Sequence, residues 1–160
     1  MKAIYGLFSG LDSTDETMLK NLLYRQVATC ALFDAATAGT AMTVTPFFRN
    51  YTGGNLRVIS AHVVVPVTVA VQETDYVTFN LAKYTSAGAS APAVAANTTN
   101  AAGFGAIAAF APEALTLVAA AVVLADGGVL TAAVAKAGSG TAITAATSAA
   151  YMIVLLEPES

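Results

Sequence analysis

From Thr85 to Leu156 the chain carries only three charged side chains, Glu113, Asp126 and Lys136, and consists otherwise mostly of Ala, Val, Thr, Gly and Leu. Small and β-branched residues interrupted by Gly, Asn and Asp favour short, half-buried strands joined by turns. A stretch with so few titratable groups offers little for catalysis. The sequence therefore predicts an all-β domain, a thin sandwich or barrel, with a structural role and not an enzymatic one.

The low charge of the chain also constrains its partners. Its 160 residues suit one domain with an N-terminal arm, and only 11% of them are charged, against the roughly 25% usual in soluble domains. Large apolar patches on soluble proteins usually mark contacts with other chains. The seven basic residues are scattered and the net charge is −3, so nucleic acid is not an expected partner. We expect a homo-oligomer or a component of a larger assembly.

The apolar content does not predict membrane insertion. The longest apolar run, Ala114 to Ala125, is about half the roughly 20 residues that a spanning helix needs. The first residues reach Gly6, Gly10 and an acidic cluster before any long apolar region, unlike an export signal. We therefore expect synthesis in the cytoplasm and no membrane partner.

Residues 1–26 are predicted to form an arm and a short helix that precede a β-sandwich domain of residues 27–160. Ser13 and Glu16 form a capping-box signature, and apolar residues at helical spacing follow them. This pattern predicts a helix from Thr14 to Tyr24. Its apolar residues are Met18, Leu19, Leu22 and Leu23, continued at the same spacing by Val27. The apolar segment Ile4 to Phe8 before it is interpreted as an arm that contacts another subunit.

Turn residues at short intervals divide the rest of the chain into about eight strands, as an all-β domain requires. Pro46 predicts an edge strand or a bulge, because proline cannot donate a hydrogen bond to a central ladder. Gln72 to Asp75 is predicted to be a hairpin loop between two of the strands. The second of them, Tyr76 to Tyr84, is predicted to alternate, with Val77, Phe79, Leu81 and Lys83 on one side. The predicted strands are Val27 to Phe33, Ala41 to Arg49, Leu56 to Val65, Val67 to Val71, Tyr76 to Tyr84, Ala106 to Phe110, Leu115 to Val118, Val129 to Ala135 and Tyr151 to Leu156.

Three segments are predicted differently from these strands. Thr85 to Gly105 is rich in Ser, Ala, Gly, Asn and Thr and predicts a long surface loop, the best candidate for a recognition element. Ala114 to Ala125 could be a strand, favoured by Val122 and Val123, or a helix, favoured by its alanines. The final residues, from Glu157 onward, predict a solvated tail.

No constellation of residues predicts a catalytic, cofactor or metal site. His62 stands alone in a predicted strand and is interpreted as structural, and Cys30 as a small buried hydrophobe. Glu73 and Asp75 offer at most a weak calcium site. Two glycosylation patterns, at Asn50 and Asn97, are interpreted as chance matches.

Three parts of the chain resemble the small β-sandwich decoration, or cement, proteins that coat the heads of tailed bacteriophages. They are the segment Val63 to Tyr84, the Ala/Gly/Ser/Thr-rich stretch after it, and the ending from Leu115 to Pro158. The resemblance implies a jelly-roll-like sandwich, often trimeric, that binds the outside of the shell and clamps neighbouring copies of the major capsid protein. It implies a virion component on the capsid surface without a cofactor.

The resemblance also suggests which residues make contacts. The arm is expected to contact another subunit or the capsid, and the predicted loop is expected to be exposed or to face the capsid. The candidate interaction residues are Ile4, Tyr5, Leu7 and Phe8 in the arm, and Ser86, Ala89, Pro92, Val94, Asn97 and Asn100 in the loop. The alternative is a β-structured fibre, tail or receptor-binding module, whose long loops would contact a host surface.

Overall fold

The computed structural model describes residues 25–32, 44–103, 105–137 and 150–159. These residues form ten β-strands and one short 3-10 helix in two antiparallel sheets, which confirms the predicted all-β class. The predicted arm, Ile4 to Phe8, and the predicted helix, Thr14 to Tyr24, lie outside the described residues.

The two sheets have five strands each. Sheet A consists of Gln26–Leu32 (β1), Leu56–Val64 (β3), Glu113–Ala114 (β6), Val123–Leu124 (β8) and Ala150–Pro158 (β10). Sheet B consists of Thr45–Arg49 (β2), Val77–Tyr84 (β4), Ser90–Thr98 (β5), Thr116–Leu117 (β7) and Val129–Lys136 (β9). The 3-10 helix, Ala119–Ala121, lies between β7 and β8.

Strands that are far apart in the sequence lie side by side. In sheet A, β1 pairs with β10, β10 with β3, and β3 with the short β6 and β8. In sheet B, β2 pairs with β9, β9 with β4, β4 with β5, and β5 with β7. Apart from the hairpin of β4 and β5, each strand lies in the opposite sheet from the strand before it.

One hydrophobic core fills the space between the sheets, as expected for a β-sandwich. The alternation predicted for β4 is confirmed, since Val77, Phe79 and Leu81 are fully buried while the residues between them are half-buried. β10 contributes Met152, Val154 and Leu156 from the opposite side. The large side chains of both sheets therefore meet in the middle, and the alternate residues face outward.

Four register shifts interrupt this alternation in the described strands, one of them between Ala82 and Tyr84 of β4. The β2–β9 register skips Phe47, the β3–β10 register skips Ile59, and the β4–β5 register skips Val94. A bulge lets two neighbouring residues face the same way, so Val94 and Ala95 are both buried. The expectation that Pro46 marks an edge or a bulge is confirmed, because β2 is an edge strand and its register shifts between Pro46 and Phe48.

The predicted surface loop from Thr85 to Gly105 is wrong in its middle part. Residues 90–98 form β5, whose Val94 and Ala95 belong to the core. β5 pairs with β4 on one side and with β7 on the other. These pairings make the segment a strand, although its alanine-rich sequence does not predict one. Of the described residues in this segment, those outside the strand are the tight turn at Thr85–Ala89, residues 99–103 and Gly105.

The predicted strands Val67 to Val71 and Ala106 to Phe110 are also wrong. Each contributes a single residue to an isolated bridge between Val69 and Ile107. Residues 72–75 are therefore not a hairpin loop, because β4 pairs with β5 and β9 instead.

The last two segments are corrected as well. The open choice for Ala114 to Ala125 resolves into short pieces, β7, the 3-10 helix and β8, that follow β6 and cross between the sheets. The predicted solvated tail is wrong at Glu157 and Pro158, which belong to β10.

The Cys30 thiol should be protected in the folded protein. Its side chain is buried in the core, and burial raises the pKa of the thiol above its ordinary value. Thiolate is the reactive form, so we expect iodoacetamide at pH 8 to label the native chain far more slowly than the chain unfolded in guanidinium. Equal rates in the two states would contradict the buried position.

The same shift links stability to pH. The pKa of Cys30 is higher in the folded chain than in the unfolded chain, so its contribution to stability is fully present below about pH 8.5 and is lost as the pH rises further. Thermal unfolding of the native chain and of Cys30→Ala between pH 7 and 10 measures this difference. The midpoint of the native chain should fall more steeply above that pH.

Candidate interaction surface on sheet A

The outer side of sheet A forms a continuous surface without charged residues, which we call the sheet-A face. It lies on the side of β1, β3 and β10 that faces away from the core. Three rungs of paired residues build it, and the middle rung extends to β6. The rungs are Val27–Leu155–Ser60, Thr29–Ile153–His62–Ala114 and Ala31–Tyr151–Val64.

The alternation of the strands explains why these residues point outward. Their neighbours along each strand, such as Cys30, Val63 and Met152, are buried in the core. In an antiparallel sheet with one solvated side, the outward positions are normally polar. Here Val27 is 65% exposed and Tyr151 is 51% exposed. The face therefore combines exposed apolar side chains with the polar side chains of Thr29, Ser60 and His62, and its three rungs contain no Asp, Glu, Lys or Arg.

Charged residues border the sheet-A face at one end. Arg25 lies 3.5 Å from Glu157, and Arg57 pairs with Glu157 in the strand register. Glu113 lies beside Ala114 but pairs with the inward-facing Val63, so it points to the other side of the sheet. A patch that lacks charged residues and has them at its edge is a common arrangement of a protein–protein interface.

The same end of the sandwich holds a buried polar network around Asn50. The Asn50 side chain is fully buried; its amide Nδ2 donates to the carbonyls of Gly54 (2.7 Å) and Leu124 (3.1 Å), and its Oδ1 accepts from the Thr52 N–H (3.0 Å). Asp126 accepts from the Gly53 N–H (3.0 Å). These bonds tie the loop after β2 to the turn before β9. They also show that Asn50, interpreted from sequence as a chance glycosylation match, has a structural role.

The opposite end of the sandwich exposes apolar side chains. Val67 and Val71 are exposed, and Phe110 is 74% exposed with a φ of 60°. A positive φ is rare for a bulky residue. The Phe110 N–H donates to the Val65 carbonyl at 2.8 Å, and this bond holds the loop in place.

The structure does not bring the predicted interaction residues together. Ile4, Tyr5, Leu7 and Phe8 lie outside the described residues. Ser86 and Ala89 are exposed at the turn between β4 and β5, and Pro92 is exposed along β5. Asn97 and Asn100 are half-buried at the far end of that strand, where the Asn100 Oδ1 accepts from Thr98 Oγ1. Val94 is buried in the core, so it cannot make the expected contact in this fold.

The polar groups considered for chemistry are engaged in the fold. His62 is half-buried at the centre of the sheet-A face, between Ile153 and Ala114. Glu73 accepts from the Ala101 N–H at 2.9 Å. Within the described ranges, no group of three His, Cys, Asp or Glu residues is placed to hold a metal ion.

A shallow cleft of about 240 Å³ lies at the charged end, between residues 83–86 and 123–128. Lys83 donates to the Val123 carbonyl at 2.7 Å there, which fixes the lysine as part of the wall.

In the part of the chain that the structure describes, no helix is long and apolar enough to span a membrane.

Sequence reasoning missed the sheet-A face, although one signal was present. Residues 151–156 are apolar at every position, whereas a strand with one solvated side should alternate. Both sides of β10 therefore pack against other parts of a protein, the inner side against sheet B and the outer side against another element or another chain.

A search with models of known protein families gave no match, and no curated protein proved similar to the chain.

Proposed function

We propose that the protein is a structural component of a bacteriophage particle that binds the outside of the head and stabilises contacts between copies of the major capsid protein. The sheet-A face carries this proposal. Its three rungs contain exposed apolar side chains and no Asp, Glu, Lys or Arg, which suits contact with another protein. The proposal places the protein on the capsid surface of the virion, after synthesis in the host cytoplasm.

The strand pairing supports a jelly-roll fold, the finer part of this proposal. When β6 and β8 are counted together as one strand position and the two-residue β7 is left out, the described chain has eight principal strands that fold like a long hairpin. The first and last strands of the chain, β1 and β10, pair with each other. Moving inward along the sequence, β2 pairs with β9, β3 with β6 and β8, and β4 with β5. Rolling this hairpin gives two sheets of the jelly-roll type, which is found in viral capsid domains and in lectins. Because one fold hosts many functions, the surface remains the stronger argument.

An oligomer, with a trimer favoured by the resemblance, suits this role. A capsid repeats its subunits symmetrically, so a symmetric oligomer can engage several equivalent sites at once. Several weak contacts then combine into attachment much stronger than any single one. The low charge of the described surface allows such close contacts, because few charged groups would lose their hydration.

A fibre, tail or receptor-binding module is the second candidate, and Phe110 is the observation that favours it. A strongly exposed aromatic ring on a loop at the end of a sandwich is a typical contact residue for a partner. In that case the apolar end of the sandwich, and not the sheet-A face, would meet the host surface.

The copy number of the chain in purified phage particles tests the proposal. Quantitative mass spectrometry against the most abundant shell protein should find hundreds of copies, near-stoichiometric with the shell. A few copies per particle would support the fibre or receptor-binding role instead. Complete absence from particles would overturn both.

A second measurement tests capsid stabilisation directly. Particles stripped of the protein should release DNA at a lower temperature than native particles, and adding the purified chain back should restore the native temperature. Serum albumin at the same concentration serves as the control for non-specific protection. Release temperatures unaffected by the chain would contradict the cement role.

A further inference from the structure

We propose that the outer edge of β1 binds a second copy of the chain, by antiparallel pairing of the two β1 strands across a two-fold axis. The second copy extends sheet A sideways and leaves the sheet-A face free for another partner. The inference concerns the isolated chain in solution and does not depend on capsid binding. It rests on the direction of the polar groups of β1, on the composition of the strand and on its register with itself.

The hydrogen bonds of sheet A show which residues of β10 bond to β1. The Leu115 N–H donates to the Ala61 carbonyl at 2.8 Å, on the side of β3 that faces away from β10. In an antiparallel ladder a residue directs its N–H and C=O to one side, and successive residues direct them to opposite sides. Ala61 lies opposite Val154 of β10, so the polar groups of Val154 point the other way, to β1. There Val154 pairs with Ala28.

Ala28 is therefore bonded to β10, and the residues next to it direct their polar groups away from β10. By this alternation Val27, Thr29 and Ala31 present their N–H and C=O groups at the outer edge of β1. Among the described residues, β1 pairs with β10 alone. A row of unpaired backbone groups at the edge of a sheet is a template for a strand from another chain.

The composition of β1 does not protect this edge. Edge strands usually avoid further pairing by being short, by carrying charge or proline, or by a bulge. β2, an edge of sheet B, contains Pro46 and Arg49 and has a register shift, and β6, β7 and β8 have two residues each. β1 has seven residues without charge or proline, and its register with β10 is continuous. Of the edges that the structure describes, β1 is therefore the one open to a further strand.

The sequence of β1 is suited to pairing with itself. In an antiparallel arrangement centred on Thr29, Thr29 lies opposite Thr29 of the second copy, and Val27 lies opposite Ala31. These are the residues whose polar groups point outward, so each pair exchanges both of its N–H···O bonds. Threonine pairs stabilise neighbouring strands, and no like charges meet. Because the same strand meets itself, the contact is isologous and its natural occupant is a second copy.

This pairing joins the two sheet-A faces into one surface. The strand order becomes β3-β10-β1 of one copy followed by β1-β10-β3 of the second, with neighbouring strands about 4.8 Å apart. One strand pair buries less area than the roughly 800 Å² per partner of a stable interface, so the dimer should form only as the concentration rises. The inference thus gives a dimer where the resemblance favours a trimer.

Light scattering of the purified full-length chain over a range of concentrations tests the pairing. The mass should rise from 16.1 kDa towards twice that value. Thr29→Pro removes an N–H that faces away from β10, a position where an edge strand accepts proline. Its dissociation constant should rise by a factor of about ten or more, because both bonds of the central pair are lost. Thr29→Val keeps the N–H and should associate like the wild type.

A second variant guards against a folding defect. If Thr29→Pro loses its β-sheet circular dichroism spectrum, Thr29→Lys replaces it. The Thr29 side chain is exposed, so the lysine is accommodated in the monomer, but in the dimer it would lie opposite its own copy. A wild-type chain that stays monomeric at every concentration, or a folded variant that dimerises as well as Thr29→Val, would overturn the inference.

Amide hydrogen exchange shows whether the edge is open in the monomer. The N–H groups of Ala28 and Cys30 point to β10 and should be protected at all concentrations. Those of Val27, Thr29 and Ala31 should exchange quickly at low concentration and become protected as the dimer forms. Protection of these three in the monomer would show that other residues of the same chain cover the edge, and would contradict the proposal.

Disulfide formation tests the register, with Cys30→Ala as the background. In the proposed pair the two Thr29 Cα atoms lie about 5.5 Å apart, within the range of a disulfide. Thr29→Cys should therefore form a covalent dimer with oxidised glutathione. Val27→Cys is the control, since its two copies lie roughly 14 Å apart. Equal cross-linking of both variants would overturn this register, and since no capsid is present, that result leaves the decoration role untouched.

Discussion

Replacing Phe79 with alanine should lower the free energy of unfolding by about 3–5 kcal/mol. Phe79 is fully buried in β4, the strand that lies between β5 and β9 in sheet B. It is the largest of the fully buried side chains in the described core. Its removal takes apolar surface out of the core and leaves a cavity that the paired strands on either side cannot close. Denaturant titration followed by circular dichroism measures the change.

Thr78→Ala is the matched control for this substitution. Thr78 is the preceding residue of β4 and faces outward, half-buried. Its truncation removes little core contact, so its effect should stay within about 1 kcal/mol. If the two substitutions cost the same, the packing of the sheets around Phe79 would be wrong.

The second large effect is expected at Asn50. Asn50→Ala should lower the free energy of unfolding by about 1–3 kcal/mol, because the buried carbonyl of Leu124 loses its partner and a buried group without a partner costs roughly that much. The substitution would leave the carbonyls of Gly54 and Leu124, and the N–H of Thr52, without the side chain that now satisfies them. The same substitution should detach the loop after β2 from the turn before β9, which faster amide hydrogen exchange at Gly53 and Gly127 would report.

Asn55→Ala in the same loop provides the comparison. The Asn55 side chain is exposed, and its amide donates to Glu159 at 3.3 Å. Water can replace this bond, so the free energy of unfolding should change by less than about 0.5 kcal/mol. An Asn50→Ala variant as stable as Asn55→Ala would show that the buried network does not hold the loop.

The sequence predicted those strands that can be identified from their own residues and from the turn residues beside them. β4 was identified because polar and apolar residues alternate through Tyr84, and the limits of β3 and β9 follow from the turn residues beside them. Pro46 predicted an edge or bulge because its missing N–H is a property of the residue itself. Such features require no knowledge of which strands become neighbours.

The sequence failed where a strand depends on its partners. β5 contains alanine at four of its nine positions, and its bulge at Val94 breaks the period of two. Neither propensity nor alternation identifies such a segment, and only the ladders with β4 and β7 make it a strand. The strand predicted from Val67 to Val71 was wrong for the opposite reason. Its sequence is rich in β-branched residues, but in the structure it pairs with another segment only through the single bridge between Val69 and Ile107.

The candidate surface could be predicted only in part. The uninterrupted apolar sequence of β10 indicates that both of its sides need cover, but it does not say which strands lie beside it. The sheet-A face exists because β1 and β3, far apart in the sequence, both pair with β10. Asn50 gave no structural signal at all, since its glycosylation pattern is a local motif and its hydrogen bonds are made across the fold.

The central position of β10 has a consequence for how the protein is made. Sheet A cannot close before residues 150–158 have left the ribosome, because β1 and β3 contact each other only through β10. Pairings of such high contact order fold slowly, so the newly synthesised chain waits with the unpaired edges of β1 and β3 open to other strands. Synonymous changes that slow translation near the codons for residues 137–150 should therefore lower the soluble yield without altering the finished protein.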